Sequence, residues 1–129
     1  MALCHLIMSG MLHRYAELKL LAVHGGGFLP AYWGRLDHAW GAREDARAEL
    51  PLPPSHYLRK VYFDTLVHSQ EQLDALIACF GPDRIMMGSD YPFDMADYDP
   101  VGHIAGVDGI DDATFAALAG GNAAKLLGI

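Results

Sequence analysis

Two residues of complementary chemistry stand where the chain changes character. His24 ends the apolar run "LLAV", and Asp90 ends "IMMGS". A third such place is "DTLVHS", with Asp64 and His68. In parallel α/β proteins, reactive groups gather where strands end and loops begin. An imidazole and a carboxylate on neighbouring strand ends can share a divalent metal and its bound water, or form a general-base pair. His24 and Asp90 are therefore the candidate catalytic pair. The glycines after His24 leave space for a metal or substrate to approach the backbone. Each residue also has a plainer reading: a histidine before glycines is a turn element, and an aspartate in "GSDYP" can cap a turn. His68 could line the same site but is left out of the pair.

Other chemistries suggested by "HGGG" fail on what is missing. A lipase-type oxyanion hole expects a Gly-x-Ser-x-Gly elbow, and the sequence has none. A phosphate loop needs Gly-Lys-Ser/Thr, also absent. His5, His13, His38, His56 and His103 fit surface positions or local packing. Arg35 and Arg43 lie eight residues apart, about two helical turns, so one helix face could present both to a carboxylate. Tyr32, Trp33 and Trp40 would supply aromatic walls. The alternative is a solvated face on which Arg43 or Arg47 pairs with Asp37, Glu44 or Asp45.

The elements that must position these residues follow from periodicity. Residues 3–16 suit an apolar helix face, and "KLLAV" reads as a short strand buried on both faces. A helix is expected from Pro30 to about Ala48, broken by "LPLPPSH". "KVYFDTLV" is β-branched and aromatic, a second strand. Ser69 with Gln72 resembles a capping box opening the helix "EQLDALIACF", which Gly81–Pro82 stops. "RIMMGSD" gives a third strand, followed by a polar loop and two short helices over 111–119 and 121–127. Strands alternating with helices, without hairpin turns, predict a parallel α/β sheet covered on both faces.

Composition bounds the rest. The 129 residues are 52% hydrophobic, enough for one globular domain with a core. No apolar run approaches the ~20 residues of a membrane span, and the start "MALCHLIMSG" lacks the basic region of a signal peptide. Cys4 and Cys79 sit in apolar periodic segments without metal-pair spacing. They are expected to be buried thiols of a reducing, cytoplasmic compartment. The net charge is −7, and from Ile85 onward Lys125 alone faces seven aspartates. Such an end repels phosphate backbones, so neither nucleic acid nor a membrane is an expected partner.

Four linked segments carry a family resemblance: "VHGGGFLPAYWGRLDHAW", "SHYLRKVYFDTLVHS", "DRIMMGSDYPFDM" and "GNAAKLLGI". Together they resemble the C-terminal part of the amidohydrolase-related family, nearest to its metal-dependent decarboxylases of the aminocarboxymuconate-semialdehyde type. The resemblance implies the last three strands of a (β/α)8 TIM-type barrel, as a single domain over residues 1–129. It also implies a divalent metal, usually zinc, with Asp90 as a metal ligand and His24 beside the metal water as acid/base. Arg35 and Arg43 would contact the substrate carboxylate, Arg35 across a dimer interface, and Phe93 would line the apolar side of the pocket. The implied reaction is decarboxylation of an unsaturated or aromatic carboxylic acid, a small-molecule substrate. Hydrolysis by the same family is one alternative. The family's His-x-His metal pair occurs nowhere in this sequence. The other alternative is therefore a non-catalytic chain, or one half of a split barrel that needs a partner.

Overall fold

The computed structural model describes residues 2–47 and 49–129. The chain divides into two compact units, Met1–Leu20 with Gly26–Val61, and Leu21–Gly25 with Tyr62–Ile129.

The first unit is helical. The face expected over 3–16 is two helices, α1 (Ala2–Met8) and α2 (Met11–Arg14), because Gly10 between them is left-handed at φ 72°. Ile7 and Leu12 carry their apolar sides inward. Helix α3 (Leu29–Ala42) has Pro30 in its first turn, where the missing N–H costs nothing. It stops earlier than expected. Arg43 is extended, and a separate turn, α4 (Glu44–Arg47), follows. The reason is local: Gly41 weakens the helix end, and the acidic pair Glu44–Asp45 favours a new helix N-terminus. Ala48, the expected end, lies outside the described residues. The prolines that break the chain also start α5 (Pro54–Leu58), a helix the sequence reading left out. There the Asp37 carboxylate accepts the Ser55 N–H at 2.9 Å, fixing α5 to α3. Tyr57, Leu58 and Val61 are fully buried.

The second unit holds the sheet. Strands β1 (Leu21–Ala22), β2 (Tyr62–Asp64) and β3 (Ile85–Met86) pair in that order, both pairs parallel. The register sets Ala22 opposite Phe63, and Asp64 opposite Met86. All three are shorter than their apolar runs, since each run continues into the loop at its carboxyl end. The expectation that "KLLAV" is buried on both faces is corrected. Leu21 is 43% and Val23 57% exposed, and, two residues apart, they lie on one face of β1, which is therefore uncovered. Helix α6 (Gln70–Phe80) begins as expected, with the Ser69 hydroxyl accepting the Gln72 N–H. Its Leu73, Leu76 and Phe80 point inward, and Phe80 meets Phe63 of β2 with ring centres 4.9 Å apart. Cys79 is exposed and Cys4 half-buried, which corrects the expectation of two buried thiols. Cys79 lies beside the inward stripe of α6, not on it.

The polar loop after β3 contains a helix of its own, α7 (Pro100–Ala105), whose N-cap Asp99 accepts the Gly102 N–H. Sequence reading missed it because six residues are too few for a periodic signal. The chain closes with α8 (Asp112–Ala116), a wide turn over Ala117–Gly121, and α9 (Asn122–Leu127). Buried Asn122 at the start of α9 donates to the carbonyls of Pro82 and Ile85, tying it to the start of β3.

Candidate functional site

The run His24–Gly27 is left-handed throughout, at φ 57°, 56°, 78° and 66°. A side chain in this conformation costs roughly 1–2 kcal/mol per residue, so a consecutive run of four calls for glycine wherever chemistry does not demand otherwise. Gly25 has a second constraint, since a Cβ there would collide with the Val67 side chain of the β2 loop. The glycines are thus required first by the handedness of the backbone. His24 is the one position in the run that keeps a side chain. Two other non-glycine residues share its conformation, His68 at φ 55° and Asp90 at φ 58°. All three follow strand carboxyl ends, and strained backbone concentrates at functional sites.

His24 and Asp90 face each other, with Nε2 3.5 Å from Oδ1. This is the outer limit of a hydrogen bond. The His24 side chain is 58% exposed and that of Asp90 27%. The exposed Phe93 follows in the turn that Asp90 opens, its N–H donating to the Asp90 carbonyl at 2.9 Å.

Beneath this pair lies a carboxylate that the sequence reading placed at a strand end but left out of the site. Asp64 is 6% exposed, and its Oδ1 accepts the Gly25 N–H at 2.8 Å and the Leu66 N–H at 3.3 Å. A hydrogen bond to a charged group contributes about 1.5–3 kcal/mol, and losing it strands a buried donor. The signal for Asp64 was present in "VYFDTLV", where a charged residue sits in an otherwise apolar run. His68, four residues on, is exposed.

The arginines do not share one helix face; Arg43 instead follows the alternative of pairing with Asp45. Arg35 is exposed on α3, whereas Arg43 lies past the helix end. Arg43 grips Asp45 through Nε and Nη2, at 3.0 and 2.6 Å. That bidentate hydrogen bond holds the Asp45 carboxyl below its ordinary range and raises Arg43. The aromatic rings of α3 are also engaged: Arg47 stacks over Trp40 and Arg59 over Trp33. Trp40 donates its indole N–H to the Leu50 carbonyl.

Asp90 is a suitable oxygen donor for a divalent metal, and His24 a suitable nitrogen donor. A catalytic zinc takes three protein ligands. Among the described residues no group of three or more His, Cys, Asp or Glu could hold a metal ion. The described residues therefore fit part of a metal site and do not complete one. Among the described residues, no helix is long and apolar enough to cross a membrane.

The chain is thus an α/β protein with a parallel sheet, a histidine and an aspartate facing each other beyond its strand ends. It belongs to the amidohydrolase family, whose profile matches residues 2–129. A 2-amino-3-carboxymuconate-6-semialdehyde decarboxylase of Dictyostelium discoideum is 35% identical over 130 residues, covering 100% of this chain and 36% of that protein. The crystal structure of 5-carboxyvanillate decarboxylase from Sphingomonas paucimobilis matches with a TM-score of 0.85 and 32% identity, over 98% of this chain and 38% of that one. A dihydroxybenzoic acid decarboxylase from Polaromonas sp., with bound manganese and 2-nitroresorcinol, matches with a TM-score of 0.84 and 25% identity, again over 98% and 38%. The three parallel strands and their helices are thus a fragment of the amidohydrolase barrel, little more than a third of these relatives' length.

Proposed function

We propose that this chain supplies the His24–Asp90 portion of a metal-dependent decarboxylase barrel acting on an aromatic or unsaturated carboxylic acid. The observation that carries the proposal is the 3.5 Å approach of His24 Nε2 to Asp90 Oδ1 at the carboxyl end of the sheet. The decarboxylase relatives, including one with bound manganese, give it context.

Asp90 would contribute one ligand to a divalent metal, zinc or manganese, with the remaining ligands coming from outside these residues. When bound, such an ion lowers the pKa of its water and polarises substrate oxygens. His24 is the proton carrier. As the bond from ring or alkene carbon to the carboxylate breaks and carbon dioxide leaves, Nε2 would deliver the proton that the carbon takes up. Arg35 and Arg43 would engage a substrate carboxylate, Arg43 after releasing Asp45, and Phe93 would cover the apolar part of the substrate. The working assembly would be cytoplasmic. It would be either a homodimer of completed barrels or this chain associated with the remaining barrel strands.

The test is completion of the barrel. This chain is fused behind the N-terminal portion of a full-length relative, then assayed for carbon dioxide release from 5-carboxyvanillate and dihydroxybenzoate with zinc or manganese. Decarboxylation is expected, with stoichiometric metal. His24→Asn should lower kcat by about 10²–10⁴-fold while retaining metal, the usual range for a general acid or base. Asp90→Asn should lose metal as well as activity. A folded, metal-loaded barrel that hydrolyses amides or esters but releases no carbon dioxide would replace decarboxylation with hydrolysis.

A further inference from the structure

Asp64 is a carboxylate at the end of β2 whose flanking residues Phe63 and Thr65 are 0% and 1% exposed. Among the described residues it forms no ion pair, so its burial is compensated by backbone N–H groups. Those contacts reach both arms of the His24–Asp90 pair. On one side Oδ1 holds the N–H of Gly25, the residue after His24. On the other, the aspartate lies against Gly88, two residues before Asp90. A Cβ at Gly88 would stand 2.9 Å from the Asp64 Cβ and 3.0 Å from its Oδ2. The Gly88 N–H in turn donates to the hydroxyl of Thr65, Asp64's neighbour, at 3.2 Å. One buried side chain therefore sets the exits of β1 and β3 together.

We propose that Asp64 is a positioning residue: its Oδ1 locks the left-handed His24–Gly25 turn, and its body fixes the path of Gly88, so that His24 Nε2 is held against Asp90 Oδ1. The role is geometric, and it calls for an acceptor of carboxylate shape at this point rather than for a charge. This inference rests on the reading of His24 and Asp90 as the site. Its test needs neither metal nor substrate, so the two can fail separately.

The experiment is nuclear magnetic resonance on the 129-residue chain, at a concentration where sedimentation velocity shows a monomer, or in the Leu21→Lys background, following three signals. They are amide exchange at Gly25, amide exchange at Thr65 (whose N–H pairs with the Met86 carbonyl), and the Overhauser contact between the His24 ring and the Asp90 β-protons. Asp64→Ala should speed Gly25 exchange by about ten- to a hundred-fold, through the loss of one buried hydrogen bond, and weaken the ring contact. Thr65 should keep its protection. Asp64→Asn, whose amide oxygen can take the same N–H, should restore both Gly25 protection and the ring contact. Gly88→Ala leaves every hydrogen-bonding group in place but presses on Asp64, and it should loosen the Gly25 amide and the ring contact together. It decides the question if Asp64→Ala does not fold. A ring contact unchanged in Asp64→Ala or Gly88→Ala would overturn the proposal. So would a folded Asp64→Asn that loses the contact, or equal acceleration of Gly25 and Thr65, the mark of a general destabilisation.

Discussion

At His24 the backbone and the side chain make opposite demands. The turn is left-handed over four residues, which favours glycine at each, yet the first carries an imidazole. The strain at that one position is tolerated because the next N–H is held by Asp64. The glycines themselves are unequal. At Gly25 a methyl group meets both a left-handed backbone and the Val67 side chain, so Gly25→Ala should destabilise by about 2–5 kcal/mol, combining the conformational and overpacking costs. At Gly27 the backbone is equally left-handed but the space is open, so Gly27→Ala should cost only about 1–2 kcal/mol. Urea denaturation of the two variants against the parent chain measures the difference. Equal costs would mean that contact with Val67 plays no part.

At the scale of the element, the short helices depend on their caps. Helix α8 has five residues, too few to persist on propensity alone, and its start is fixed by the Asp111 carboxylate accepting the Thr114 N–H at 2.7 Å. That backbone hydrogen bond, the largest influence on the group, holds the Asp111 carboxyl below its ordinary range. The sign follows from linkage. A carboxyl whose folded value is depressed stabilises the fold above the unfolded aspartate value of about 3.9, and this contribution fades as pH falls through the lower folded value. The Thr114 amide should therefore become less protected against exchange as pH drops below about 4. Asp111→Asn, which keeps an acceptor but cannot titrate, should remove that dependence. A Thr114 amide indifferent to pH in the parent chain would show that the cap does not hold α8.

For the whole molecule, the governing fact is an incomplete sheet. β1 and β3 each pair with β2, and among the described residues neither has a second strand beside it. Leu21, Val23 and Met87 are 43%, 57% and 40% exposed near these strands. Unpaired parallel edges with apolar side chains are templates for association. The isolated chain should accordingly form larger species as its concentration rises, seen by sedimentation velocity, and Leu21→Lys on the β1 edge should suppress them. Joining the remaining barrel strands should have the same effect as the lysine, since it supplies partners for the edges. A chain that stays monomeric at every concentration would show that these edges are protected by some other means.

The sequence by itself determined the alternation of strands with helices, the parallel sheet, and the position of His24 and Asp90 just after strand ends, because each is written in local signals. Apolar runs end in reactive residues, Ser69 opens α6 through Gln72, and Pro30 marks the first turn of α3. It misplaced element boundaries and very short elements. Gly10 splits the first helix, α3 ends at Ala42, before its expected end, and α5 and α7 are too short to show a period. Only the tertiary structure decided which strand ends meet, and that the glycines after His24 serve the handedness of the turn. It alone revealed Asp64 as the group touching both arms of the pair. The physical reason is distance along the chain. Asp64 lies 39 residues from Gly25 and His24 lies 66 from Asp90. Contacts of that span are created by strand register and burial, which no local pattern of residue types encodes.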